Sequence, residues 1–179
     1  MIARFSLALG ACVLLGCGGA PPKGDAPAAA AAPAEPAPHR TTVGDHVKPI
    51  AAPFRIPAPG AKLTLVDYFA TWCDSSKRWI PKVEAIHAKY AAAGLVVVGV
   101  GHWSEETPAE VETFARTYGA TFPVVFDAKH TITSAIPPLS WGQSIIVVDA
   151  SGVVRLAHIG TSNEAFDEVD AAIGRLLAP

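Results

Sequence analysis

A cysteine at the turn between an apolar strand and a helix constrains the fold of this chain more than any other sequence feature. The run Leu63–Phe69 is mostly apolar and rich in β-branched and aromatic residues, which is typical of a buried central strand. Cys73 follows it, and apolar positions at helical spacing predict a helix from Ser75 or Ser76 to about Ala93. The pattern predicts an α/β fold that presents a thiol where its central strand meets a helix.

Further strands and helices alternate after this junction. The sequence predicts strands at 95–101 and 123–126, a helix from about 107 to 118, a hairpin of strands at 144–149 and 153–158, and a last helix at 162–177. Thr107 followed by Pro108 suits a helix start, with the threonine as N-cap. This order implies a mixed β-sheet with helices on both faces.

The first residues have the pattern of a bacterial lipoprotein leader. Met1–Arg4 is short and basic, and Phe5–Gly16 is an apolar run too short to span a bilayer. The run ends in Leu14–Cys17, which resembles a lipobox. Residues 1–16 are therefore predicted to be a lipoprotein signal peptide, and Cys17 is predicted to carry lipid. A plain secretory signal and an internal apolar helix are the rival interpretations.

Residues 17–59 are predicted to form an Ala/Pro-rich flexible tether, and 60–179 the globular domain. Near the end of the tether, Phe54 and Ile56 are expected to dock onto the domain edge. The tract Ala20–Pro38 has no aromatic or β-branched residue and cannot bury a core. A lipid anchor and a tether would hold the domain in the bacterial cell envelope, facing the periplasm. By resemblance to known lipoproteins, Gly18 after the lipidated cysteine favours the outer membrane.

The cysteines leave one free thiol in the mature chain. Cys12 is a poor lipid acceptor, because its apolar segment would be about half the required length, and it leaves with the leader. Cys17 carries the predicted lipid, so Cys73 cannot form an intrachain disulfide. At a helix start, unpaired N–H groups, the helix dipole and the charges of Lys77 and Arg78 should lower its pKa. The alternative is a buried, inert cysteine.

Composition excludes several other functions. A net charge of -2 without any basic cluster gives no reason to expect a nucleic-acid partner. No spacing of histidines or acids suggests a metal site, and no cofactor is predicted.

From about Lys62 onward the chain resembles the thioredoxin fold, and within it the membrane-anchored extracytoplasmic TlpA/ResA-like group. Four features carry the resemblance: Phe69–Cys73, the helix proline Pro81, the step Thr121–Val124 and the run Val148–Gly152. The resemblance covers roughly two thirds of the chain, and its active-site string is the most specific part.

The resemblance also assigns roles. Ser76 occupies the position of the family's second cysteine, so the site is Cys-x-x-Ser; hydrogen bonding to the Cys73 thiolate or helix capping are its expected roles. Asp67 matches a buried acid that serves the second thiol, and without that thiol it should be protonated or bonded through water. The family's cis-proline facing the sulfur corresponds to Gln143, where a trans peptide is expected.

Aromatic residues surround the predicted site. Trp72 is expected to lie over the thiol, whereas Trp79 could face solvent or pack at an edge. Trp103 and Trp141 follow on neighbouring loops, and His102 is a candidate for approaching Cys73, because the carboxyl ends of parallel strands share one edge of the sheet.

These observations predict a lipid-anchored, periplasm-facing thioredoxin-like protein with one reactive cysteine. In a protein thiol or disulfide partner, Cys73 would attack a disulfide or a sulfenic acid and form a mixed disulfide, which a second thiol then resolves. One alternative is a redox-inactive binding module that uses Trp72, Trp103 and Trp141. A third is a one-cysteine peroxidase, although Thr71 lies too close to Cys73 for the Thr-x-x-Cys pattern of such enzymes.

Overall fold

The protein has one mixed five-stranded sheet with β1 at its centre. The computed structural model describes residues 40–160 and 162–179, so the predicted leader, Cys17 and the start of the predicted tether lie outside it. The strands are β1 Leu63–Phe69, β2 Leu95–Gly101, β3 Val124–Phe126, β4 Ser144–Asp149 and β5 Val154–His158. Their order is β3-β2-β1-β4-β5, with β1, β2 and β3 parallel and β4 antiparallel to both its neighbours. The predicted mixed sheet is confirmed.

The helices begin where local chemistry satisfies their free N–H groups. They are α1 Asp74–Tyr90, continued by a 3₁₀ turn Ala91–Ala93, then α2 Pro108–Thr117, α3 Thr131–Ala135 and α4 Asn163–Leu177. Thr107 caps α2 in a reciprocal pair with Glu110, and Ser162 caps α4 by accepting from the Ala165 N–H (3.2 Å). Within the described residues, no helix is both long and apolar enough to cross a lipid bilayer.

The short helix α3 was not predicted from the sequence. Asp127 is buried after β3, and its carboxylate accepts from the backbone N–H groups of Thr131, Ile132 and Thr133 at 2.8–3.0 Å. These bonds nucleate one helical turn that five residues could not sustain alone. Ile132 and Ile136 are thereby held against the sheet.

Successive side chains along each strand point to opposite faces of the sheet, and both faces are buried. On one face, Leu63 and Leu65 pack with residues of α1 and α4, among them Val83 and Ile173. On the other, Val66 and its neighbours pack against α3 and a segment that precedes β1. Helices therefore cover both faces, and the upstream segment completes the second.

That upstream segment belongs to the packed structure. Val47, Ile50 and Ile56 are all at least nine-tenths buried, although this stretch was expected to belong to the flexible tether. The Val47 N–H donates to the Gly152 carbonyl at 2.8 Å, which fastens the segment to the β4–β5 turn. The packed part of the chain thus begins near Thr41, earlier than the boundary expected at residue 60.

Candidate active site around Cys73

Cys73 is the N-cap residue of α1, at the point where the chain leaves the buried end of β1. Its N–H donates to the Ala70 carbonyl (3.1 Å), and its own carbonyl accepts from the Lys77 N–H (3.3 Å). The residue is half-buried, and Sγ lies 2.9 Å from the Ser75 hydroxyl oxygen. The thiol is therefore fixed at the first turn of the helix and remains open to solvent on part of its surface.

Hydrogen bonds set the ionisation of this thiol. Burial raises the pKa of Cys73, but the Ser75 hydroxyl, the N–H groups of Ser76 and Ser75 and the Ser76 hydroxyl outweigh it and leave the pKa below its ordinary value. The Lys77 ammonium, expected to help, is paired with the Asp74 carboxylate at 2.8 Å. The lowering thus comes from hydrogen bonds at the helix start and not from neighbouring cations.

Ser76, in the place of a second thiol, is fully buried on the first turn of α1. Its hydroxyl oxygen accepts from the Ala70 N–H (3.3 Å), so it braces the turn that follows β1 and does not cap the helix. Ser75 makes the direct contact with Sγ, and sequence reasoning passed over it. The sequence signal that could have identified Ser75 is its hydroxyl two positions after Cys73, closer along the chain than that of Ser76.

Glu106 is a second residue that sequence reasoning missed. It is buried in the loop after β2, and its Oε1 accepts from the Thr71 N–H at 2.5 Å. A charge-assisted bond of this kind holds the backbone just before Trp72 and Cys73. Glu106 therefore positions the turn that carries the thiol.

Asp67 lies in the middle of the sheet, opposite Gly99 of β2 and Ile145 of β4, and is fully buried. The Gln143 side-chain amide donates to its Oδ1, while Oδ2 has no hydrogen-bond partner among the described residues. Burial raises the pKa of Asp67 to about 7, and the Gln143 bond offsets only part of this effect. Both the acid and the carboxylate are therefore populated at neutral pH.

The loop before β4 reaches the thiol through Gly142. A Cβ at this position would lie 2.8 Å from Sγ of Cys73, so any side chain would collide with the sulfur. Gln143, predicted to face the sulfur, is buried and directs its amide to Asp67. The peptide bond between Gly142 and Gln143 is trans, as expected. The residue against the sulfur is thus one position earlier than predicted.

Three tryptophans form an exposed surface beside the thiol. Trp72 is 53% exposed and Trp141 71% exposed. The Trp103 ring meets both of them edge to face, at centroid distances of 5.4 and 6.0 Å. We call Trp72, Trp103 and Trp141 the tryptophan surface. Trp79 does not contribute, because it is 1% exposed and packs against Phe166 in the core.

His102 does follow β2 at the same edge of the sheet, but it packs against Tyr68 and Trp141, with ring centroids 5.5 and 6.4 Å away. Burial lowers its pKa, so the ring is neutral at pH 7. It lines a cavity of about 370 Å³ next to the loop that contacts Cys73. Across the described part of the chain, no group of three histidines, cysteines or acids could hold a metal.

The raised pKa of Asp67 predicts a pH dependence of stability. Its folded-state pKa of about 7 exceeds the unfolded value of about 3.9, so folding favours the protonated acid. That contribution is present below pH 4 and is lost as pH rises to 7. Relative to wild type, Asp67→Asn should therefore gain on the order of 4 kcal/mol between pH 4 and pH 8.

Urea unfolding of both proteins at the two pH values measures this difference. The variant retains a polar group of the same shape, so cavity effects cancel in the comparison. A stability difference that does not change with pH would contradict a buried, titrating acid at this position.

The chain has bacterial relatives among characterised sequences. It is 35% identical over 101 residues to the thioredoxin-like protein YneN of Bacillus subtilis. These aligned residues cover 56% of this chain and 58% of YneN. It is 28% identical over 102 residues to the thiol-disulfide oxidoreductase ResA of Geobacillus thermodenitrificans, with 56% of each chain covered. The chain thus spans somewhat over half the length of these curated relatives.

Solved structures share the fold. One is from Chlorobium tepidum and is described as the thiol:disulfide interchange protein DsbE. It superposes on this protein with a TM-score of 0.65 at 22% sequence identity. The superposition covers 76% of this chain and 99% of the Chlorobium tepidum chain. A thioredoxin-like protein of Aeropyrum pernix gives a TM-score of 0.58 at 17% identity, covering 74% and 89%. At such identities the likeness establishes a thioredoxin-like fold.

The family is defined by a match across most of the packed domain. The model of the AhpC/TSA family matches residues 43–157, which include the upstream segment, all five strands to within one residue, and the turn that carries Cys73. The chain therefore belongs to the AhpC/TSA family and has a thioredoxin-like fold.

Proposed function

We propose that this protein carries out thiol–disulfide exchange through a single cysteine, Cys73. The observation that carries the proposal is the hydrogen-bonded state of this thiol, half-buried at a helix start with the Ser75 hydroxyl 2.9 Å from its sulfur. The thiolate is the reactive form in exchange, and a lowered pKa increases its share at neutral pH. The relative ResA is named a thiol-disulfide oxidoreductase, and the relative YneN a thioredoxin-like protein, which supports this proposal.

The exchange proceeds through a mixed disulfide. The Cys73 thiolate attacks one sulfur of a partner disulfide, a new S–S bond forms, and the partner's other sulfur leaves as a thiolate. A second thiolate then attacks the mixed disulfide, forms a disulfide with the partner and releases Cys73 as a thiolate. A further external thiolate attacks that new disulfide and releases the partner's remaining sulfur as a thiolate. The two external thiols end as a disulfide with each other, and the two electrons they lose reduce the partner disulfide.

The second thiolate must come from outside this chain. Ser76 stands where the resolving thiol would be, and its buried hydroxyl is engaged with the Ala70 N–H. A hydroxyl is too weakly acidic to attack sulfur at neutral pH. A protein disulfide partner therefore remains bound to Cys73 as a mixed disulfide until another thiol releases it.

Asp67 and Gln143 act on the site by positioning the loop before β4. Their hydrogen bond joins the central strand to the loop whose Gly142 lies against Sγ. We assign them the task of holding that loop at the sulfur, in place of direct proton transfer to a second thiol.

A binding role without redox chemistry is the second candidate, and the tryptophan surface favours it. Two of its three rings are more than half exposed, and aromatic side chains are enriched in protein interfaces. In this alternative the thiol would be unreactive, and the fold would present the tryptophans to a partner.

We also propose that the protein is anchored at the cell envelope by lipid on Cys17 and faces the periplasm, with the outer membrane favoured. The leader pattern of residues 1–17 supports this placement. Mass spectrometry of the mature protein should find an N-terminal, acylated Cys17. A mature chain that retains Met1, or that begins beyond Cys17, would contradict the anchor.

The reactivity of Cys73 can be measured by alkylation with iodoacetamide across pH. We expect a midpoint below the ordinary thiol value of about 8.5, because hydrogen bonds at the helix start favour the thiolate. Ser75→Ala should move the midpoint upward, since it removes the side-chain bond to Sγ. Ser151→Ala, in the turn at the opposite end of β4, is the matched control and should leave it unchanged.

A wild-type midpoint at or above 8.5 would favour the redox-inactive binding module. An unchanged midpoint in Ser75→Ala would mean that the Ser75 hydroxyl does not set the ionisation of the thiol.

Restoring a second thiol tests the single-cysteine mechanism. Ser76→Cys places a resolving thiol on the first turn of α1, so insulin reduction with dithiothreitol should accelerate on the order of tenfold or more over wild type. The control is Cys73→Ala combined with Ser76→Cys, which lacks the attacking thiol and should be inactive. A wild-type protein already as fast as Ser76→Cys would show that no resolving thiol is missing.

A further inference from the structure

The cavity beside the tryptophan surface is not used by the exchange mechanism. Its volume of about 370 Å³ is in the range of small-molecule sites. His102 lies on one wall, and α3 and the loop before β4 supply the others through Thr133, Leu139 and Trp141. Cys73 is not among the residues that line it, so the cavity is a separate feature of the fold.

The His102 ring on one wall of the cavity has buried nitrogens that make no hydrogen bond within the described residues. The side chain is 96% buried, since its exposed fraction is 4%, yet neither ring nitrogen has a well-formed partner among the described residues. The Val100 carbonyl acts on the ring, but it does not make a hydrogen bond of good geometry with it. Buried polar groups without partners are costly, and a ligand in the cavity would meet this need.

The titratable side chains that line the cavity are all bases. The buried Asp127 carboxylate acts on His102 from outside the lining, where the N–H groups of residues 131–133 hold it. Arg40 and His130 are exposed and line its solvent-facing part, and His102 lies deeper. No acidic residue is among the described residues that line it. Arginine and imidazole N–H groups are the donors that carboxylates prefer, so the charge distribution selects an anion.

The rest of the lining is apolar. Pro137, Pro138, Leu139 and the Trp141 ring form a continuous wall. The Trp141 and His102 rings are nearly parallel, at an angle of 9°. Such a wall suits a flat or aliphatic hydrocarbon body, and an inorganic anion would leave it uncovered.

We propose that this cavity binds a small organic carboxylate with an apolar body, held by Arg40 and His102 and packed on Trp141. The carboxylate accepts hydrogen bonds at the cationic side, and the body covers Pro138 and Leu139. Binding does not depend on thiol exchange, so it should persist in Cys73→Ser.

Phenylacetate is a suitable probe, tested on the full chain in a mild detergent. Titration is followed through the imidazole resonances of His102 in a 15N-histidine-labelled sample. We expect saturable shifts with phenylacetate, and binding on the order of tenfold weaker with phenylacetamide, which has the same shape without the charge. Phenethylamine, the matched cation, should not bind.

Two substitutions locate the site. Arg40→Ala should weaken phenylacetate binding on the order of tenfold, because it removes the charged donor. Arg55→Ala, an exposed arginine outside the cavity, should leave binding unchanged. His102→Phe fills the site with carbon and should abolish binding; near-ultraviolet circular dichroism checks that the fold is kept.

Three results would overturn the proposal. The first is the absence of saturable His102 shifts at tens of millimolar phenylacetate. The second is equal affinity for the acid and the amide. The third is equal binding by wild type and Arg40→Ala. Loss of binding in Cys73→Ser alone would instead tie the cavity to the thiol and refute its independence.

Discussion

The structure depends on a tight turn that brings a fully buried strand to the surface within residues 70–73. Every residue of β1 is buried, and α1 begins at Asp74. Two side chains satisfy the backbone of this turn from opposite sides, the Ser76 hydroxyl at the Ala70 N–H and the Glu106 carboxylate at the Thr71 N–H. Because the turn is held in this way, Cys73 emerges as the helix N-cap with its sulfur among free N–H groups.

A second constraint comes from the acid in the centre of the sheet. A buried carboxyl without a cation is costly to ionise, and here its partner is a neutral amide from a loop far along the chain. The contact makes Gln143 the residue that fastens this loop over β1. The loop then sets the position of Gly142 at the thiol, and of Trp141 on both the tryptophan surface and the cavity wall. One buried hydrogen bond thus connects features that would otherwise be independent.

Sequence reasoning succeeded where local rules decide and failed where distant contacts do. The strands and the Thr107 cap could be predicted, because alternation and capping depend on neighbours along the chain. Val47 and Ile50 were assigned to a tether, because scattered prolines conceal an anchor that only the finished sheet can bury. Trp79 was expected near the surface, although α1 turns it into the core. The pairing of Asp67 with Gln143 spans 76 positions and leaves no periodic signal.

In the proposed exchange reaction, Gly142 also restricts the direction from which a disulfide can approach Cys73. In disulfide exchange the incoming sulfur, the central sulfur and the departing sulfur lie nearly on one line. The loop backbone covers one side of Cys73, and the Ser75 hydroxyl occupies another. A partner disulfide must therefore align its S–S axis with the side of the sulfur that these two groups leave open. An extended, accessible disulfide can adopt that alignment, whereas one recessed in a rigid fold cannot. In the proposed reaction, selection among substrates would therefore depend on the direction of approach as well as on redox potential.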